Sequence, residues 1–196
     1  GEFIGFVDSD DWIAPQMYET LLSALIKWDA QLACCGRYDV REKTGEQKIG
    51  LCPKSDECLS GVAFAGRIFR YDGCDSSACD KLYRRELFAG LAERMNPAIK
   101  NNEDYLMNYF LFSRAKRSVY EDFCPYRYIL RENSASFRQL NEHSLFDPIR
   151  VRELIVEDSG SEIREDARRA LMRNLLFAYA QLSVHPEKRY DEWRRR

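Results

Sequence analysis

Histidine is nearly missing from this sequence: His143 and His185 are the only two, and neither is near any of the seven cysteines at 34, 35, 52, 58, 74, 79 and 124. No Cys-x-x-Cys pair occurs, which argues against a zinc site. The odd cysteine count and irregular spacing argue against a disulfide scaffold, so reduced, partly buried thiols are expected, as in a cytoplasmic protein. No apolar run approaches the ~20 residues that span a bilayer, and no signal-peptide pattern opens the chain. An excess of one charge is lacking too. Lys and Arg number 30 against 32 Asp and Glu, a net charge of −2, which gives no bulk reason to expect nucleic acid or an anionic membrane as the main partner. There is no internal repeat and no low-complexity linker.

What is present is ordinary for a globular protein: 45% hydrophobic and 32% charged residues over 196 positions, enough for one domain, with or without a small helical appendage. Residues 3–8, an apolar run ending in acid, predict a buried strand. Pro15 opens a helical pattern with Met17, Leu21, Leu22, Leu25 and Trp28 on one stripe. Strands are expected over 31–39 and 46–52, then a helix over 61–71 capped by Ser60. A strand near 77–83 leads to a helical turn at 84–90, an amphipathic helix at 103–113 and an aromatic-rich extended stretch at 117–130. Helices are expected over 142–157 and 162–183, and Arg194–Arg196 reads as a frayed end.

The chemistry concentrates in Asp8-Ser9-Asp10-Asp11. Three carboxylates in four residues, at the carboxyl end of an apolar strand, are costly to hold together without a cation. In open α/β sheets that end is also where ligands bind. Mg²⁺ or Mn²⁺ takes one or two carboxylates and leaves its other positions to water and phosphate. In an extended backbone Asp8 and Asp10 project the same way. The acids could equally do no more than begin a helix, whose dipole favours negative charge. An EF-hand loop fails, because Ile13 falls at the turn-glycine position.

Residues 1–13, Gly-Glu-Phe-Ile-Gly-Phe-Val-Asp-Ser-Asp-Asp-Trp-Ile, resemble the segment leading into the Asp-x-Asp motif of family-2 inverting glycosyltransferases. Asp80-Lys81-Leu82-Tyr83-Arg84-Arg85 is similar to that family's Asn-Lys-Leu-Tyr-Arg-Arg, with Asp80 as a departure, and Asn102-Glu103-Asp104 looks like its Glu-Asp motif. The resemblance covers roughly residues 1–130. It implies an α/β fold, a partial GT-A-type mixed sheet flanked by helices over 1–135, with a helical extension over 136–196. It implies transfer of a sugar from a nucleotide-sugar donor to a saccharide or lipid-linked acceptor with inversion, in polysaccharide or glycan synthesis.

By the same resemblance Asp8 and Asp10 bind a divalent cation, Mn²⁺ or Mg²⁺, on the donor phosphates, and Asp104 is the general base. Lys81 contacts the donor, and Asp11, Glu103 and Arg84 are secondary candidates. Tyr120, Phe123, Tyr126 and Tyr128 resemble a late tyrosine-rich strand, which stacks on sugar or fills core. Because the family's first strand and nucleotide-gripping loop have no counterpart here, the chain is expected to be N-terminally truncated and nearly inactive alone. The location implied is cytoplasmic, at most peripheral on the inner face of a membrane, with self-association open. Two other readings stand beside this one: a Mg²⁺-dependent phosphatase of the haloacid-dehalogenase type, and a non-catalytic interaction domain.

Overall fold

A computed structural model describes residues 1–52, 54–72, 76–131, 140–185, 187 and 190–195. The expected boundary at 135/136 lies outside the described residues, as do Cys74 and Arg196.

Among the described residues, two mixed sheets and five α-helices form a mixed α/β arrangement. The first sheet contains β1 (Phe3–Gly5), β3 (Leu32–Cys34), β6 (Glu57–Leu59), β7 (Lys81–Arg84) and β8 (Ser118–Tyr120), in the order β1-β7-β3-β8-β6. The second contains β2 (Trp12–Ile13), β4 (Arg37–Arg41), β5 (Gln47–Leu51) and β9 (Tyr126–Leu130), in the order β2-β9-β4-β5. In each sheet one pair is parallel, β3 with β8 and β4 with β9, and the rest are antiparallel.

The helices are α1 (Met17–Lys27), α2 (Gly61–Arg70), α3 (Glu103–Arg114), α4 (Glu142–Asp158) and α5 (Arg164–Val184). α1 buries Met17, Leu21 and Leu25 against the sheets, the stripe expected from its spacing. Ser60 caps α2 by accepting from the Ala63 amide at 3.2 Å. α2 lies so close to the end of α3 that a Cβ on Gly61 would sit 1.9 Å from the Phe112 carbonyl. α4, α5 and Ile163 just before α5 carry Val151, Ile155, Ile163, Ala167 and Ala170 into the same apolar cluster as Phe64 and Phe69 of α2 and Tyr105 of α3.

Three expectations are corrected. The buried strand at 3–8 is a three-residue edge strand, and Phe6 and Val7 are 36% and 43% exposed. The described residues contain nine strands rather than the four or five expected, since pieces as short as β2 and β6 leave no alternating pattern to read. The cysteines are not all reduced: Cys52 is bonded to Cys124 across 72 residues, while Cys34, Cys35, Cys58 and Cys79 are free. Because β4 pairs with both β5 and β9, the two thiols meet where these strands begin or end, a closeness that sequence spacing cannot reveal.

Candidate functional site

β1 ends at Gly5, where a Cβ would come within 2.6 Å of the Tyr18 ring. The chain then leaves the sheet and forms a turn rather than the expected extended segment. The Asp11 amide donates to the Asp8 carbonyl at 3.0 Å, an i to i+3 bond that folds the acidic cluster back on itself.

The three carboxylates have different surroundings. Asp11 is saturated: its Oδ2 accepts from the Tyr126 hydroxyl at 2.6 Å and its Oδ1 from the Ile129 amide at 2.8 Å. It therefore anchors the turn to β9. Burial pushes its carboxyl up, the two hydrogen bonds pull it down, and the charges of Asp10 and Asp8 push it up again. Asp10 meets Arg131 at 2.9 Å in partial exposure. Asp8 is exposed and lies against Cys79, whose thiol bonds to it; burial, first of all, pushes that thiol up to about 11. The Asp8 amide also donates to the Tyr126 hydroxyl at 3.4 Å. With Asp11 spent, exposed Asp8 and half-exposed Asp10 are the carboxylates that could meet a hard cation drawing its other oxygens from water and phosphate, Asp10 by giving up Arg131. Among the described residues no cluster of three His, Cys, Asp or Glu could hold a metal unaided.

Asp104 stands in the first turn of α3, whose N-cap Asn102 has left-handed φ of 65° and makes no side-chain cap bond. The Asp104 carboxyl is held above its usual range, first by burial and then by Glu103. The Ala78 amide counters this by donating to it, Asp8 adds to it, and Lys81 opposes it. Asp8 and Asp104 are thus within electrostatic reach of each other, and the segment 77–81 joins them, with Ala78 bonded to one and Cys79 to the other. Asp104 and Glu103 border a cavity of about 340 Å³ with Ser76, Ser77 and residues 100–102.

This second turn is braced from far along the chain. Asp147, fully buried, accepts from the Lys100 and Asn101 amides at 2.8 and 3.2 Å. Arg152, 4% exposed, donates to the Asn102 side chain and lies over the Tyr105 ring at 3.8 Å. Asn108 ties Tyr83 to the Ser76 carbonyl through bonds of 2.7 Å on each side.

Lys81 is wholly buried, paired with Asp80 and donating to the Ser77 carbonyl at 2.5 Å. A phosphate contact would require it to exchange those partners for the ligand. Asp80, the departure from the family pattern, is therefore the counter-ion of a buried lysine. Arg84 and Arg85 are not brought to the acidic turns: Arg84 pairs in register with Phe3 at the far end of β7, about 10 Å from Lys81. Tyr120 is core, whereas Tyr126 bridges Asp8 and Asp11. Sequence reasoning missed Ala78, Cys79, Asp147 and Arg152. Only the conspicuous Asp80-Lys81 motif pointed near the first two, and nothing local pointed to the others.

Comparisons with known proteins bear on the family and the fold. Residues 1–91 match the model described as glycosyl transferase family 2, a span that stops short of Asp104. The chain is 26% identical over 168 residues to glycosyltransferase GlyA of Streptococcus pneumoniae, covering 82% of this chain and 24% of that protein. It is 26% identical over 141 residues to the uncharacterized glycosyltransferase YibD of Escherichia coli, covering 69% and 40% respectively. The chain therefore spans less than half the length of either relative. In fold it is similar to S. aureus TarS 1–349 in complex with UDP-GlcNAc, with a TM-score of 0.65, 20% identity, and coverage of 89% of this chain and 48% of that one. TarS 1–349 in complex with UDP gives a TM-score of 0.60 at 19% identity, with coverage of 89% and 46%. By the family match over its acidic turn, its glycosyltransferase relatives and its GT-A-type architecture, this chain is similar to the family-2 glycosyltransferases.

Proposed function

We propose that the protein to which this chain belongs transfers a sugar from a nucleotide-sugar donor to an acceptor hydroxyl with inversion, and that the two acidic turns are its reacting centre. The observation that carries this reading is the closeness of Asp8 to Asp104 across the segment 77–81. One turn keeps two carboxylates for a cation and the other keeps a carboxyl whose proton affinity is raised. UDP-sugars are the first donors to try, since TarS is known in complex with UDP and with UDP-GlcNAc.

In this reading Asp8 and Asp10 would hold Mn²⁺ or Mg²⁺ at the donor site. The bound cation would neutralise charge on the departing nucleoside diphosphate. Asp104 takes the proton from the acceptor hydroxyl; a carboxyl held above its ordinary range is a better base for that step. Glu103, exposed beside it, adds to that rise. Asp11, Tyr126 and Cys79 keep the first turn in place, and α4 braces the second. A saccharide or lipid-linked acceptor, a role in surface glycan synthesis and a cytoplasmic, at most peripheral, location belong to the same proposal. Among the described residues no helix is long and apolar enough to cross a membrane.

Mn²⁺ titration followed by electron paramagnetic resonance, with and without UDP-N-acetylglucosamine, tests the reading without requiring turnover. The cation is expected to bind, more tightly with the nucleotide sugar present. Asp10→Asn is expected to weaken binding at least tenfold, about 1.4 kcal/mol. Equal Mn²⁺ affinity in the wild type and the Asp10→Asn variant would sink the assignment.

A further inference from the structure

The second sheet has an inward and an outward face. Ile13, Tyr126 and Tyr128 pack into the apolar cluster formed with α1, so by strand alternation Trp12, Arg127, Ile129 and Arg131 point outward. Register then builds a row across all four strands. Trp12 pairs with Arg127, Arg127 with Tyr38, and Tyr38 with Ile49. Directly paired residues share a face, and the Arg127 guanidinium lies 4.5 Å from the Tyr38 ring centroid, as that requires. A parallel row follows, Ile129 to Val40 to Gln47. Both ends of the first row are open to water, with Trp12 73% and Ile49 54% exposed. A groove of about 470 Å³ covers the Trp12 end of the first row and the second row, bounded by Trp12, Gln47, Arg127 and Arg131 and reaching Asp10 itself, with Tyr38 and Ile49 beyond its edge. Arg131 closes that end with bonds of 2.9 Å to both Asp10 and Glu42.

We propose that this outer face binds the saccharide chain of the acceptor, with Trp12 as the stacking platform nearest the reacting centre. The inference rests on the glycosyltransferase reading and deepens it by naming the acceptor class. An indole 73% exposed beside a reactive motif offers a flat apolar face with a polar edge, ready to take an occupant. A sugar ring offers an apolar C–H face to the indole and hydroxyls at its edge. Here the edge meets donors on Arg127 and Gln47 and acceptors on Glu42 and Gln47, the mix of apolar floor and few polar groups that orients a ligand. A protein partner or a second copy would favour a wider apolar patch than these two rows supply. Three strand spacings set the first row at about 14 Å, long enough for more than one sugar unit, and its Trp12 end adjoins Asp10.

The test is a panel of neutral, amino-sugar and uronic-acid oligosaccharides of one to six units, screened on the immobilised chain and followed by titration of tryptophan fluorescence. Affinity is expected to rise with length up to about three units and then level off. Trp12→Ala should lower it at least tenfold while Trp12→Phe keeps most of it. Ile49→Ser, at the far end of the row, should remove only the gain from the last unit. Absence of binding across the panel overturns the inference, as does binding indifferent to Trp12→Ala. Concentration-dependent self-association abolished by Trp12→Ala, without saccharide binding, also overturns it and assigns the face to a second copy. Mn²⁺ binding measured on the same wild-type samples keeps the two readings apart. Loss of saccharide binding with Mn²⁺ bound defeats the platform alone. Saccharide binding without Mn²⁺ binding supports the platform and defeats the donor site.

Discussion

The two acidic turns reach the same end by opposite means. The turn at 8–11 spends one of its own three carboxylates on anchoring: Asp11 grips β9 through Tyr126 and Ile129, while Asp8 is exposed and Asp10 meets Arg131 in partial exposure. The turn at 100–104 is braced mainly by others, its own Asp104 accepting from the Ala78 amide. An outside carboxylate, Asp147 of α4, takes its amides, and an outside guanidinium, Arg152, takes its Asn102. An acidic cluster is therefore not a count of ligands, because a carboxylate already holding two donors is committed to structure. α4 is likewise not a passive appendage, since its buried polar side chains sit directly behind the candidate base.

Removing the outside brace should have the larger effect. Asp147→Ala strips a fully buried carboxylate from the Lys100 and Asn101 amides, His143 at 2.8 Å and Arg150 at 2.9 Å. Breaking such a buried charged network costs about 3–5 kcal/mol, to be read as a fall in the urea midpoint. A loss below about 1 kcal/mol would mean that the turn holds itself. Removing the inside brace should cost less. Asp11→Ala forfeits two hydrogen bonds, one of them from the buried Tyr126, for about 2 kcal/mol. It should also loosen Mn²⁺ binding, because Asp8 and Asp10 lose their fixed spacing. Unchanged Mn²⁺ affinity in Asp11→Ala would separate the anchor from the cation site.

The contrast also shows what a sequence displays. α1, α2 and α3 were legible because their signals are local: the Met17–Leu25 stripe, the Ser60 cap, and the acids opening α3. The acidic cluster and Glu103-Asp104 were legible as residue types, since charge density shows without structure. Their division of labour was not. Asp11 became an anchor because Tyr126, 115 positions away, points at it, and Asp147 became a brace because α4 packs on α3. The outer row of the second sheet is equally hidden. Trp12, Tyr38, Ile49 and Arg127 sit in four separate strands, two of them expected as strands, one only as an extended stretch and one, β2, too short to expect at all.

A finer distinction between the two turns lies in their pH dependence. The Asp147 carboxyl is held below its ordinary value of 3.8: burial opposes this, and is outweighed by the Lys100 amide, His143 and Arg150. Its contribution is complete above pH 3.8 and is lost as pH falls through the lower folded value. Asp104 is the reverse case. Its folded value lies above 3.8, chiefly through burial and then Glu103. Between the unfolded and folded values the native protein binds the extra proton, so stability falls as pH rises through that window and is level above it. Asp11 and Glu121 are also raised, both chiefly by burial, so the total slope is not Asp104's alone. The difference between the wild type and the Asp104→Asn variant isolates it. Urea unfolding from pH 4 upward should show the wild type losing stability relative to the variant until Asp104 is ionised, then running parallel to it. Curves parallel from the start would place the Asp104 carboxyl at its ordinary value and remove the raised proton affinity on which its role as base depends.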